Sequence, residues 1–180
     1  MYYGALEAGG TKMVCAIGDA DKNIIDRISI PTGTPEQSVP AMIDYFKKYD
    51  ISALGIGTFG PADINPNSPT YGSIMRSPKK DWEGFSLYKA FTDALGCLVV
   101  VDTDVNAAAW GEYLYGALKG LNSGMYLTVG TGIGGGIISD GRLIHGMEHP
   151  ETGHILIPRR TGDDIPCTCR FHQSCVEGLA

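Results

Sequence analysis

Cys169, His172 and Cys175 are each separated by two residues, and His154 stands fifteen residues before Cys169. Short Cys/His spacings with one distant partner supply the four N and S donors that Zn2+ takes in a tetrahedron. A zinc ion on His154, Cys169, His172 and Cys175 would pin a loop that otherwise lacks a core. It would also fix the backbone near Glu151, His154 and Glu177, three polar groups able to face a substrate. The plainer alternative is a set of reduced thiols beside a solvated histidine. A Cys169–Cys175 disulfide is disfavoured, because no other feature marks the chain as secreted.

Two glycine clusters have the composition of phosphate sites. Gly9-Gly10-Thr11-Lys12 falls in a tight turn between two apolar stretches. Glycine lets a phosphate approach the backbone, whose N–H groups donate to it, while Thr11 and Lys12 add a hydroxyl and a positive charge. Glu7, just before the turn, is placed to hold Mg2+ through water. A plain hairpin with a solvated lysine accounts for the same residues. The second cluster, Gly130-Thr131-Gly132-Ile133-Gly134-Gly135-Gly136, formally matches G-x-G-x-x-G. That dinucleotide pattern requires a helix next, whereas Ile137 to Gly141 reads as strand and turn. The Rossmann reading is therefore rejected in favour of a phosphate-binding hairpin, with Thr131 as a hydroxyl donor. Two such hairpins, one per domain, could clamp a nucleotide's phosphates from opposite sides.

Asp102-Thr103-Asp104-Val105-Asn106 sits where an apolar strand gives way to a helix, the end of an α/β strand at which ligands usually bind. There Asp104 can act as general base toward a hydroxyl and Asn106 can orient it. Thr103 also suits a helix N-cap. After Gly57-Thr58-Phe59, Gly60 admits a ligand to the backbone and Asp63 could bind a hydroxyl; a turn that needs glycine explains this stretch equally well.

Positioning these residues requires a sheet and helices. Residues 2–8, 13–18 and 24–30 read as three short strands with tight polar turns, an antiparallel meander. Pro35 and Glu36 open a helix to about Tyr49, with Val39, Met42, Ile43 and Phe46 on one face. Ala53 to Thr58 is a buried strand, Phe59 to Lys80 a long loop and Ser86 to Leu95 a helix. Cys97 to Asp102 is apolar enough for a sheet buried on both faces. Asp104 to Leu118 is a helix, which completes a mixed α/β domain over 1–118. Gly124 to Val129 and Gly134 to Ser139 then form a strand pair, with Asp140-Gly141 turning into Arg142-Leu143-Ile144. Strand, glycine turn, strand opens both halves, a repeat of pattern and not of residues. Residues 119–180 are too few for a core of their own, so the chain reads as the N-terminal portion of a longer protein or one completed by a partner chain.

The 180 residues carry a net charge of −6, which disfavours nucleic acid and anionic membranes as partners. No apolar run approaches the ~20 residues that span a bilayer, and the N-terminus reads as a strand, not a signal peptide. Five cysteines without an export signal point to a reducing cytoplasm.

Five ordered motifs together resemble the ROK-family sugar kinases, closest to their bacterial fructokinase branch: Glu7-Ala8-Gly9-Gly10-Thr11-Lys12, Thr103-Asp104-Val105-Asn106, Gly130-Thr131-Gly132-Ile133-Gly134, Glu151-Thr152-Gly153-His154 and the Cys169/His172/Cys175 cluster. The resemblance implies an actin-like (ribonuclease H-like) two-domain ATPase fold of class α/β, its second domain incomplete in this chain. It implies Gly9 to Lys12 and Gly130 to Gly134 as the two phosphate loops and Asp104 as catalytic base. Asn106, Glu151, His154 and Glu177 would meet the sugar, with a structural Zn2+ nearby. Most relatives have Asp where this chain has Glu7, and Asn where it has Thr103; both departures look like the fructokinase branch, as does His172 in place of a cysteine. Cys167 is then a spare thiol. The implied activity is ATP- and Mg2+-dependent phosphorylation of a hexose, D-fructose at the 6-position before glucose or an N-acetylhexosamine, by a cytoplasmic homodimer. A sugar-sensing regulator would carry a basic DNA-binding module ahead of the first strand. A non-catalytic zinc-stabilised fragment is the remaining alternative.

Overall fold

Alternation along the strands gives the sheet one apolar face. Leu6, Ala8, Met13, Cys15, Ile17, Leu54, Ile56, Val99 and Val101 all point into one core. These positions come from a computed structural model that describes residues 1–77, 79–130, 132–146, 149–167, 169 and 173–180. The chain divides by its contacts into two compact units, Met1–Asp104 and Val105–Ala180.

In the first unit β1 (Tyr2–Ala8), β2 (Lys12–Asp19), β3 (Ile24–Pro31), β4 (Ile51–Thr58) and β5 (Leu98–Thr103) form one sheet in the order β3-β2-β1-β4-β5. The first three strands are the antiparallel meander that their turns predict, and β1, β4 and β5 run parallel. Parallel neighbours need crossovers, which α1 (Pro35–Phe46) and the segment containing α2 (Leu87–Leu95) supply.

Pro35 occupies the first turn of α1, and the Gln37 side chain accepts from the Thr34 N–H at 3.1 Å. Val39, Met42 and Phe46 are buried and Ile43 partly so, as their spacing predicts. The helix stops short of Tyr49 because its end tightens: the Lys48 and Tyr49 N–H groups donate three residues back, to Tyr45 O and Phe46 O. Ser86 caps α2 by accepting from the Lys89 N–H at 3.2 Å.

The long segment between β4 and α2 is tied down by the pairings Ala62–Ile74 and Ser73–Ser86. Trp82 anchors it: the indole is 1 % exposed and its Nε1 donates to Gly33 O at 2.9 Å. Burial of β5 on both faces is not what the first unit shows. Val99 and Val101 are buried, but Leu98 and Val100 are 67 % and 52 % exposed. β5 is the edge strand, and α1 and α2 both join the core on the Val99/Val101 side.

The second unit holds α3 (Asp104–Tyr115) from Val105 onward and a sheet in the order β6-β7-β8, with β6 (Gly124–Val129), β7 (Ile133–Ser139) and β8 (Arg142–Leu143) antiparallel. Asp140 and Gly141 turn the chain with φ of 49° and 73°, positive at both positions as a type I′ hairpin demands. This division by contacts groups α3 with the second unit, whereas the sequence reading groups it with the first.

Truncating Trp82 removes both its packing and its hydrogen bond. Trp82→Ala should destabilise the protein by about 3–5 kcal/mol in denaturant unfolding, and a loss below about 1 kcal/mol would show the indole not to be an anchor.

Candidate active site

Three parallel strands of the first unit end level. Ala8 pairs with Thr58 and Thr58 with Thr103, so the chain leaves the sheet at Gly9, Phe59 and Asp104 along one edge. That edge is the carboxyl end of the strands, where α/β sheets bind ligands. Adjacent strands are ~4.8 Å apart, which puts the starts of the Gly9 turn, the Gly60 loop and α3 within about 10 Å along the edge. One row earlier Glu7, Gly57 and Asp102 pair across the same strands, so the two carboxylates project to one face with a glycine between them. Glu7 is exposed; Asp102 is half-buried and accepts from the Thr103 N–H at 2.7 Å.

The first glycine turn is closed by its own backbone and by β3's end. Gly9 N–H donates to Lys12 O at 3.0 Å, Thr32 N–H donates to Thr11 O at 3.0 Å, and the Thr32 hydroxyl donates to Gly9 O at 2.7 Å. A Cβ on Gly9 would stand 2.7 Å from Lys12 O, so any side chain there would force the backbone of the turn to shift. Thr11 and Lys12 are exposed and Gly10 is half-buried. Lys79 stands beside this turn, its Cε 3.9 Å from where a Cβ of Gly10 would be. Sequence reasoning missed this lysine, since no local spacing connects the far end of a long loop to Gly10.

Gly60 follows Phe59 in the segment after β4, and Asp63 serves that segment internally. Its Oδ2 accepts from the Ser68 hydroxyl at 2.5 Å and the Thr70 hydroxyl at 2.6 Å, and its Oδ1 from the Asn65 N–H at 3.1 Å. Burial works against the charge on Asp63, but the two hydroxyls and the N–H outweigh it and hold the carboxyl below its usual range. Asp104 is half-buried at the start of α3, while Asn106 is fully buried. Two helical positions apart, they project in different directions.

In the second unit the loop from β6 to β7 closes with Gly130 N–H on Gly132 O at 3.0 Å; Thr131 lies outside the described residues. Glu177 reaches this hairpin from the chain's end, its Oε2 accepting from the Ile133 N–H at 2.9 Å. The glycines that follow have a packing reason. A Cβ on Gly136 would collide with Val105 O and lie 2.7 Å from Ala109 Cβ, so β7 passes directly against the first turns of α3. Glu151 Oε1 is 3.0 Å from His149 Nε2, and that hydrogen bond, opposed by burial, holds the Glu151 carboxyl below its usual range.

His154 Nδ1 is 3.5 Å from Cys169 Sγ, and these two atoms and Cys175 Sγ lie within 4.8 Å of one another. A tetrahedral zinc with these ligands has donor–donor edges of about 3.5–3.8 Å, which the His154–Cys169 separation matches. His172, expected as the fourth ligand, lies outside the described residues. Cys167, expected as spare, has its Sγ 3.5 Å from Cys175 Sγ. Backbone hydrogen bonds around Cys167 lower its thiol, and burial pushes Cys175 up to about 11.

The two classes of glycine can be separated by mutation. Gly136→Ala should cost about 1–3 kcal/mol of stability by overpacking. Gly130→Ala, where no described residue beyond the chain neighbours comes within 4 Å of the added methyl, should stay within about ±0.5 kcal/mol. Equal losses in thermal unfolding would contradict this division.

The sequence profile of the ROK family matches residues 3–180. A fructokinase of Lactococcus lactis subsp. cremoris is 45 % identical over 181 residues, covering 100 % of this chain and 61 % of that protein. A fructokinase of Pediococcus pentosaceus is 43 % identical over 180 residues, covering 100 % and 62 %. The crystal structure of a ROK family glucokinase from Streptomyces griseus, in complex with glucose and AMPPNP, superposes with a TM-score of 0.80 at 32 % identity, covering 100 % of this chain and 57 % of that one. The chain thus spans about three fifths of the length of the curated relatives it matches. With its mixed parallel and antiparallel sheet, its glycine hairpins and a match that runs nearly end to end, the chain belongs to the ROK family.

Proposed function

We propose that the complete protein transfers the γ-phosphoryl group of ATP to a hexose hydroxyl, most readily the 6-hydroxyl of D-fructose, with Asp104 as general base. The observation that carries this reading is the level row Ala8–Thr58–Thr103, which delivers a glycine turn and Asp104 to one sheet edge. Relatives named fructokinase at 45 % and 43 % identity support fructose over glucose.

The roles follow from the chemistry at each position. Asp104 stands at the N-terminus of a helix, at the carboxyl end of β5. It accepts the hydroxyl proton as the oxygen attacks phosphorus. With the Gly9 N–H held by Lys12 O, the Gly9–Lys12 turn would offer the N–H groups of Gly10 and Thr11, the Thr11 hydroxyl and the Lys12 ammonium to phosphate oxygens, and Gly130, Thr131, Gly132 and Gly134 would form the second phosphate hairpin. Lys79 adds a second positive charge at the first turn. Mg2+, when bound, neutralises phosphate charge; Glu7 would hold it through water. Asn106, Glu151, His154, Glu177, Gly60 and Asp63 form the sugar side of the proposal. The buried Asn106 and the internally bonded Asp63 would act by holding backbone in place.

A structural Zn2+ on His154, Cys169, Cys175 and His172 belongs to the same proposal, supported by the three described donors. So do the domain limits 1–118 and 119–180, a homodimer, small-molecule partners without nucleic acid, and a cytoplasmic location. The net charge of −6 disfavours nucleic acid as a partner. Among the described residues no helix is long and apolar enough to cross a membrane.

Asp104→Asn should lower kcat by roughly 10²–10⁴-fold in a coupled ADP assay with fructose, leaving the thermal transition intact; near-normal turnover would refute the base. Elemental analysis should find one zinc per chain, lost in Cys169→Ser and kept in Cys167→Ser. Retention by the first variant, or loss by the second, would contradict the proposed ligand set.

A further inference from the structure

β5 carries Asp104 at its end, yet it is the edge strand of its sheet, with β4 on one side only. An edge strand presents unpaired N–H and C=O groups on its open side. At Val101 one side chain takes both. The Tyr71 hydroxyl accepts from the Val101 N–H at 2.7 Å and donates to Val101 O at 2.9 Å. A phenol has one proton to give and lone pairs to receive, so a single oxygen makes both hydrogen bonds that a further strand would make there.

Tyr71 is itself braced. Its ring lies against Tyr88 of α2, with centroids 4.9 Å apart. The next residue, Gly72, donates its N–H to Asp63 O at 2.7 Å and accepts from the Leu87 N–H at 2.9 Å. The Asp63 carboxylate gathers Ser68, Thr70 and Asn65 around the same turn. Burial raises the Tyr71 phenol above its usual range, so it remains a protonated donor at neutral pH.

We propose that Tyr71 is a positioning residue for phosphoryl transfer: its hydroxyl fixes the carboxyl end of β5, and with it the point at which Asp104 leaves the sheet. The inference rests on the reading of Asp104 as the base. Val101 is three residues before Asp104, so a strand end that frays at Val101 carries the carboxylate with it. Misplacement by 1 Å costs on the order of 10²-fold in rate. The stretch from Asp63 to Tyr71 then has a task, which is to present one hydroxyl to β5.

The test compares Tyr71→Phe, Tyr88→Phe and Asp104→Asn in the complete protein, with steady-state kinetics on fructose and ATP and with amide hydrogen exchange. Tyr71→Phe should lower kcat about tenfold, within the ~10²-fold cost of a 1 Å shift, with KM for ATP unchanged. The Val101 amide should exchange at least tenfold faster. Tyr88→Phe removes a hydroxyl from the neighbouring ring and leaves the bonds to Val101 intact, so it should preserve kcat. Tyr71→Phe with unchanged kcat, or with kcat lowered only in proportion to lost folded protein, would overturn the inference while an inactive Asp104→Asn leaves the base in place. An active Asp104→Asn would overturn the base and this role together.

Discussion

The register between β1, β4 and β5 governs the rest of the first unit. Because Ala8, Thr58 and Thr103 lie in one row, three chain segments with different chemistry leave the sheet side by side. A shift of one residue in either pairing would turn the buried Leu54/Ile56 or Val99/Val101 positions to the opposite face. The core therefore enforces the alignment of the site. Burying these aliphatic side chains is worth ~1.5–3 kcal/mol each, far more than any polar contact at the edge would lose by moving. Apolar packing sets the register, and the register sets where Asp104 stands.

Glycine serves two ends in this fold. Gly9 is required by a turn in which Lys12 O stands 2.7 Å from where a Cβ would be, at the strand end where a phosphate is proposed to bind. Gly136 is required because β7 runs against Val105 and Ala109 of α3. The run Gly130 to Gly136, which reads in sequence as one phosphate-binding motif, thus joins an open loop to a packing surface. Glu177 links the two by holding the Ile133 N–H between them.

Much of this was legible in the sequence wherever local periodicity matched burial. The meander of β1, β2 and β3, the buried face of α1 and the Asp140-Gly141 turn all follow from spacing and turn chemistry. Apolar content misleads at β5: Leu98 and Val100 are as apolar as Val99 and Val101, but they point to the face of the sheet opposite α1 and α2, which this unit leaves exposed. Side chains that act across long separations leave no mark in local pattern. Tyr71 bonds a strand thirty residues away, and Lys79 meets a turn near the start of the chain. Asp63 has the look of a ligand-binding carboxylate until its three internal donors are seen. Cys169 and Cys175 come together by local spacing, whereas His154 joins them from fifteen residues before Cys169.

A crystal structure of the complete protein with fructose and a non-hydrolysable ATP analogue examines the central claim most directly. An Asp104 carboxylate oxygen should lie about 2.6–3.2 Å from a sugar hydroxyl, with N–H groups of the Gly9–Lys12 turn on phosphate oxygens of the same nucleotide. A sugar whose hydroxyls all lie beyond hydrogen-bond reach of Asp104, or a nucleotide held away from that sheet edge, would contradict it.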